Sequence, residues 1–144
     1  MQRVYSLLVD NNSGVLSRIS GLFTRRGYNI DSITAGVTAD SRFTRITIVS
    51  SGDEIILSQI EKQIAKLEDV IVVKVLKPEE SVYRELILVK IRANAQQRSE
   101  IVSIADIFRA KIVDAERESL VIELTGTQSK LEAFLQLLDG YEIL

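Results

Sequence analysis

The segment Asp10–Gly14, with the sequence D-N-N-S-G, carries the residue types best suited to bind a small charged molecule. Apolar residues at helical spacing follow it, and the start of a helix offers unpaired N–H groups and a partial positive charge to a carboxylate. Gly14 would let a ligand approach the backbone, and the Asn11 amide could donate a hydrogen or accept one from an ammonium group. Because no lysine follows, the segment suits a zwitterion such as a free amino acid better than a phosphate.

The same residues also have a simpler interpretation as a turn and a helix cap. Asn and Ser side chains commonly accept hydrogen bonds from the first N–H groups of a helix, and Gly permits the turn. A further asparagine, Asn29, follows the far end of the predicted helix, where asparagine often tolerates unusual backbone angles. The residue pattern alone leaves both interpretations open.

Composition excludes several kinds of chemistry. The 144 residues include no cysteine and no histidine, which removes disulfides, thiolate metal sites, nucleophilic cysteine and the commonest general base. The net charge of -2 argues against a nucleic-acid partner, since such domains are usually basic. No apolar run is long enough to span a bilayer, and the N-terminus does not resemble a secretory signal. A cytoplasmic protein with no membrane partner is expected.

Apolar spacing predicts the elements that position this segment. A strand at 2–9 precedes a helix with apolar residues at Val15, Leu16, Ile19, Leu22 and Phe23, which Gly27 ends. Strands at 28–37, 43–50 and 70–76 and a helix capped by Asp53 complete the first half. After Pro78 the order repeats as a strand at 84–95, a helix capped by Ser99, strands at 111–115 and 119–124, a helix at 129–138 and a last strand from 141.

This order predicts an α+β fold made of two tandem ferredoxin-like βαββαβ units. Each would be a four-stranded antiparallel sheet with two helices on one face. The predicted domains are residues 1–77 and 84–144, joined by a linker at 78–83, and the last strand is cut off at residue 144. Units this small bury little core and leave bare sheet edges, so we expect dimerisation.

The stretch N-N-S-G-V-L-S-R-I-S-G-L-F-T-R-R-G-Y-N-I-D-S-I resembles the opening of the regulatory (small) subunit of acetohydroxyacid synthase, also called acetolactate synthase. The stretches G-D-E-I-I-L-S-Q-I-E-K-Q-I-A-K-L-E-D-V, R-E-L-I-L-V-K-I and E-I-V-S-I-A-D-I-F-R-A-K-I-V-D continue the resemblance over nearly the whole chain. The first half, through about Leu76, resembles the ACT domain of that family.

The resemblance implies a non-catalytic partner of a large catalytic subunit. In that family, the large subunit uses thiamine diphosphate, a divalent metal and flavin (FAD), so no cofactor is expected in this chain. The small subunit raises the activity of the enzyme and makes it sensitive to the end product, usually valine and sometimes leucine or isoleucine. ACT domains of the family pair side by side as homodimers, and the branched-chain amino acid binds at the seam between the two chains.

Site residues follow from the same resemblance. Asn11 and the N–H groups of Gly14, Val15 and Leu16 would hold the ligand carboxylate. Asn29 and Ile30 of the neighbouring chain would complete the site, with Asn29 at the polar end and Ile30 at the aliphatic side chain. Exposed arginines are candidates for contact with the catalytic subunit, although a solvated helix face explains each of them equally simply; they are Arg18, Arg25 and Arg26.

Other functions of this fold match the residues less well. Acylphosphatase-like catalysis needs an arginine in the phosphate-binding loop, and the first loop has none before Arg18 on the helix. An RNA-binding sheet would carry more aromatic residues than Phe43 in the segment F-T-R-I-T. A sensor of a different amino acid, regulating another enzyme, stays open, because the turn does not read the ligand's side chain.

Overall fold

The computed structural model describes all residues, 1–144, and the chain divides into two compact units, Met1–Ser81 and Val82–Leu144. The first unit contains four strands and two helices in the order β1 (Gln2–Asp10), α1 (Val15–Arg26), β2 (Ser32–Val37), β3 (Phe43–Ser51), α2 (Glu54–Ala65) and β4 (Val70–Leu76). A single 3-10 turn, Pro78–Glu80, follows it. The second unit contains β5 (Glu85–Arg92), α3 (Ala95–Ile107), β6 (Lys111–Ala115), β7 (Ser119–Gly126) and α4 (Gln128–Leu137).

The first sheet is antiparallel with the strand order β2-β3-β1-β4. Alternate residues of β1 are fully buried, namely Tyr5, Leu7 and Val9, as expected of a sheet with one covered face. They form one core with apolar residues of both helices and of β3, among them Ile19, Phe23, Ile46, Ile48, Leu57 and Ile60. The sheet order makes β2 and β4 the two edge strands.

The second sheet has three antiparallel strands in the order β5-β7-β6. The α+β class with ferredoxin-like units is confirmed, but the expected fourth strand of this sheet is reduced to one bridge between Ile143 and Ile91. Two backbone hydrogen bonds hold it, from Arg92 N to Glu142 O at 2.9 Å and from Leu144 N to Lys90 O at 2.8 Å. These contacts involve only the Arg92 end of β5.

The second core is built around Phe134 on α4, which is fully buried and makes an edge-to-face contact with Phe108 at 5.4 Å between ring centroids. Val89, Ile91, Ile101, Leu120, Ile122 and Leu131 surround it. On the opposite face of the sheet, Leu86 and Leu88 of β5 are exposed.

Helix ends test the predicted caps. Gly27 ends α1 in the left-handed region with φ 68°, and the Asp53 side chain accepts a hydrogen bond from Ile56 N, as predicted. The predicted cap at Ser99 is wrong. The cap of helix α3 lies five residues earlier, where Asn94 and Gln97 form a reciprocal capping box. The first turn of α3 has no apolar stripe, which is why hydrophobic periodicity missed it.

Strand β2 begins at Ser32 and not at Tyr28 as predicted. Tyr28 instead packs its ring edge-to-face on Phe23, with ring centroids 5.9 Å apart, and its backbone N–H donates to Phe23 O at 2.9 Å. The segment between α1 and β2 is therefore a connection anchored to the helix end.

Candidate ligand-binding site

The loop after β1 leaves α1 without a side-chain cap. Gly14 occupies the cap position, with φ −134° and ψ −5°, and no side chain hydrogen-bonds to the first turn. That turn also contains no acidic residue. The interpretation of the loop as a side-chain cap is therefore wrong, while a carboxylate site at the uncapped N–H groups stays a prediction.

Asn11 connects this loop to the turn between β2 and β3. Its Nδ2 donates to Ser41 O at 2.9 Å, its Oδ1 accepts from Thr44 Oγ1 at 3.1 Å, and its backbone N–H donates to Arg42 O at 2.9 Å. The side chain is exposed, and an amide retains a second hydrogen and a second lone pair after these contacts. Asn11 is therefore held in place with capacity left for a ligand.

A charged cluster fixes the other side of the loop. Arg18 Nε forms an ion pair with Asp69 Oδ2, Arg18 Nη2 donates to Asn12 Oδ1 at 2.9 Å, and Asn12 Nδ2 donates to Asp69 Oδ1 at 3.0 Å. The hydrogen bonds from Arg18 and then Asn12 lower the pKa of the Asp69 carboxyl below its ordinary value. Asp69 also accepts a backbone hydrogen bond from Asp10 N at 2.9 Å. The side chains of Asn12, Arg18 and Asp69 therefore hold the loop against the start of β4.

The guanidinium of Arg18 also lies over Gly14. A Cβ atom at position 14 would come within 2.5 Å of Arg18 Nη1, so any side chain there must displace this group. Sequence reasoning treated Arg18 only as a surface for a partner protein and missed its position beside the helix start. Its spacing of four residues from Gly14 was a usable signal, because helical side chains point towards the N-terminus.

Val15 and Leu16 contribute differently to this end of the molecule. The Val15 side chain is buried in the first core, so only its backbone faces the loop. The Leu16 side chain is 50% exposed. The helix start therefore presents amide groups beside an uncovered apolar side chain, which suits a ligand with a carboxylate and an aliphatic group.

Asn29 and Ile30 lie at the opposite end of the sheet. The exposed Asn29 donates from Nδ2 to Asp31 Oδ1, and its backbone carbonyl accepts from Ser50 Oγ. Ile30 is half-buried and packs against the first core. The core therefore buries part of the Ile30 side chain, and the expected contact of this residue with a ligand stays a prediction.

Strand β2 separates the two halves of the predicted site. Its six residues span about 20 Å at the usual rise of a strand. Val37, at one end, pairs with Thr44, which bonds to Asn11; Ser32, at the other end, pairs with Val49, whose carbonyl accepts from Asp31 N. The structure therefore does not bring Asn11 and Asn29 of one chain together.

Every residue of β2 is exposed, although the strand is rich in apolar residues. Ile33 and Val37 pair with Ile48 and Thr44 on the face of the sheet that the helices cover, yet they are 41% and 60% exposed. The helices therefore do not extend over this edge.

The structure contains no group of three or more acidic side chains placed to hold a metal ion. None of its helices has the length and apolar character required of a membrane span.

An antiparallel sheet ordered β2-β3-β1-β4 with helices on one face, followed by a second α/β unit, defines a tandem ferredoxin-like protein whose first unit is an ACT domain. Residues 5–72 match the family described as the AHAS small subunit-like ACT domain, and residues 84–144 match the family described as the small subunit of acetolactate synthase. The chain belongs to the family of acetolactate synthase small subunits.

Relatives of the family match over nearly the full chain. The acetolactate synthase small subunit of Mycolicibacterium smegmatis is 48% identical over 96% of this chain and 81% of its own length. The isozyme 3 small subunit of Escherichia coli is 47% identical over 94% and 83%. The crystal structure of the small subunit from Thermotoga maritima, 41% identical, superimposes with a TM-score of 0.90 over 99% of this chain and 90% of that one. The chain is thus a regulatory subunit with a catalytic subunit as partner.

Proposed function

We propose that this chain senses a branched-chain amino acid, valine in the first place, at a site shared between two copies of its ACT domain. Through this site it confers feedback inhibition on the catalytic subunit of acetolactate synthase, whose activity it also raises. The catalytic subunit would hold the thiamine diphosphate, the divalent metal and the FAD, and the complex would be cytoplasmic. The observation that carries the proposal is the exposed strand β2, which has half of the predicted site at each end.

Pairing of two β2 edges explains how the halves meet. In an antiparallel pair related by a two-fold axis, the Ser32 end of one strand lies beside the Val37 end of the other. Asn29 of one chain would then approach the loop of Asn11 and the start of α1 in its partner. Each dimer would contain two such composite sites, and neither would be complete in a single chain.

The chemistry of the two ends matches a zwitterion with an aliphatic side chain. Uncapped amide groups and the Arg18 guanidinium offer positive potential to the carboxylate. Asn29 of the partner would provide a polar group for the ammonium. The uncovered side chain of Leu16, with Ile33 and Val37 on the edge, would provide apolar surface for a branched side chain.

Feedback requires that the amino acid bind one state of the assembly more tightly than another. A ligand held by residues of both chains would favour one orientation of the two ACT domains, and the catalytic subunit would respond to that orientation. A coupling of about 1–3 kcal/mol, typical of allosteric proteins, would change activity or affinity by roughly 5- to 150-fold.

Isothermal titration calorimetry of the folded chain with valine, leucine, isoleucine and one unrelated amino acid tests the proposal. We expect binding of at least one branched-chain amino acid with one ligand per chain. Binding of none of the three by a folded dimer would overturn the proposal, and preferential binding of the unrelated amino acid would indicate a sensor for a different effector.

Gly14→Asp tests the location of the site. The new carboxylate would displace the Arg18 guanidinium and occupy the position proposed for the ligand carboxylate. We expect loss of valine binding and of feedback in the reconstituted holoenzyme, with activation of the catalytic subunit retained. Gly14→Ala is the matched control, because it displaces Arg18 without adding a charge and should retain weakened binding. Unchanged feedback in Gly14→Asp would place the site elsewhere.

A further inference from the structure

Asn29 and Asp31 form a short anchored segment between the end of α1 and the start of β2. The carbonyl of Asn29 accepts a hydrogen bond from the buried Ser50, and the backbone N–H of Asp31 donates to Val49 O at 2.8 Å. Both residues are thus fixed to β3 through the backbone. Between their side chains, Asn29 Nδ2 donates to Asp31 Oδ1.

The Asp31 carboxylate is held by side-chain donors from β1 and β3. Its Oδ2 accepts from Gln2 Nε2 at 3.1 Å and from Ser51 Oγ, and Gln2 and Ser51 are direct partners in the pairing of β1 with β3. These hydrogen bonds, the one from Ser51 foremost, lower the pKa of the Asp31 carboxyl below its ordinary value. At neutral pH the group is therefore an ionised carboxylate with a fixed position.

An ionised carboxylate fixes the orientation of the neighbouring amide. It has no hydrogen to donate, so only the NH2 group of Asn29 can face it. The amide oxygen of Asn29 then points away from Asp31 as an acceptor. Without Asp31, the oxygen and nitrogen ends of the amide would exchange freely, because they are nearly equal in size and shape.

We propose that Asp31 is a positioning residue of the effector site, which turns the Asn29 oxygen outward so that the site accepts an amino acid and rejects the 2-oxo acid with the same side chain. An ammonium group has three donors and no acceptor, so it pairs with this oxygen. The C2 oxygen of a 2-oxo acid is only an acceptor, and it would meet the Asn29 oxygen without a hydrogen bond. This inference rests on the proposed function, in which Asn29 contacts the ammonium end of the effector.

Calorimetric titration of the full chain with L-valine and with 3-methyl-2-oxobutanoate, its 2-oxo analogue, provides the test. For the unchanged chain we expect valine to bind about tenfold or more tightly than the analogue, as expected for one hydrogen bond to a charged group. Asp31→Asn should lower the affinity for valine by about tenfold and reduce the preference for valine over the 2-oxo analogue. The new amide at position 31 can both donate and accept a hydrogen bond, so it no longer fixes the orientation of the Asn29 amide. Asp114→Asn on β6 of the second unit is the matched control and should leave both values unchanged.

A second substitution separates positioning from a structural role. In the Asp31→Asn background, Asn29→Asp places a carboxylate at position 29, which presents an acceptor in either orientation. We expect this double variant to recover both the affinity for valine and the preference over the 2-oxo acid. A purely structural role for Asp31 would not be rescued in this way.

The outcomes separate the positioning role of Asp31 from the proposed amino-acid-sensing function. If the unchanged chain binds no branched-chain amino acid, the proposed function fails and this inference fails with it. If the chain binds valine but also binds the analogue equally well, or if Asp31→Asn changes neither affinity nor preference, the inference alone is overturned. Absence of rescue in the folded double variant would likewise overturn it.

Discussion

Single residues at the two ends of β2 make up the candidate site, and only some of their contacts could be found from the sequence. The residue types of Asp10–Gly14 allowed either a side-chain cap or an open helix start, and only the structure shows that the helix start is open. The ion pair of Arg18 with Asp69 could not be predicted, because 51 residues separate the partners and no periodic pattern relates them. Asp31 was equally hidden, since its hydrogen-bonding partners Gln2 and Ser51 meet it only through the sheet register.

Asp69→Asn should lower the thermal stability of the first unit at neutral pH. The folded state holds the pKa of Asp69 below its unfolded value, so the carboxylate stabilises the fold above the unfolded pKa, and this contribution is lost as pH falls through the folded value. The difference in melting temperature between the unchanged protein and Asp69→Asn should therefore be largest at about pH 7. It should shrink at pH values well below the ordinary aspartate pKa of about 3.9. Circular dichroism melts across this range measure it.

Asp40→Asn is the control for that experiment. Asp40 pairs with Arg42 within a single turn and links no separate elements, so its loss should have the smaller effect. If the melting temperature of Asp69→Asn lies below that of the unchanged protein by the same amount at every pH, the ionised pair with Arg18 does not stabilise the loop.

The elements were predictable where an apolar stripe marks them and unpredictable where polar residues begin or end them. Both helices of the first unit and all four of its strands follow from spacing, although β2 starts four residues later than expected. Helix α3 begins with A-Q-Q-R-S, which contains no apolar stripe, so Ser99, the nearest residue of a capping type before Ile101, was mistaken for the cap. The capping box of Asn94 and Gln97 supplies the missing signal.

Asn94→Ala should destabilise the second unit by about 1 kcal/mol, because it removes the side chain that accepts from Gln97 N at 2.8 Å. Ser99→Ala is the matched control. Ser99 lies inside α3, where its hydroxyl donates to Gln96 O, so its loss should change stability by only a few tenths of a kcal/mol at most. Urea unfolding of both variants measures the difference. Equal losses would show that the helix start is not held by Asn94.

At the scale of the whole molecule, two units with separate cores follow from the repeated order of elements, whereas the completeness of each sheet does not. The fourth strand of the second sheet is a single bridge between Ile143 and Ile91, where the sequence predicted a short strand from residue 141. The pairing of two copies stays a prediction, supported by an edge whose apolar side chains no helix covers.

Val37→Lys should weaken that pairing. A lysine on an exposed edge strand opposes association with a second strand, and Val37 is already 60% exposed, so the fold of one chain should be unaffected. Light scattering coupled to size-exclusion chromatography should show a shift from dimer to monomer, with loss of valine binding at the same concentration. Ile55→Lys on α2, where the side chain is 70% exposed, is the control and should remain dimeric. A dimer that persists in Val37→Lys would place the interface on another surface.

No side chain of β2 belongs to the buried core, so we expect substitutions along this strand to act on the proposed pairing of two copies and to leave folding almost untouched. Under the proposed function, natural variation in β2 would adjust how strongly two copies pair, and with it the effector concentration at which the shared site fills, without changing the fold of the chain. The effector concentration at which regulation begins would then evolve independently of the fold.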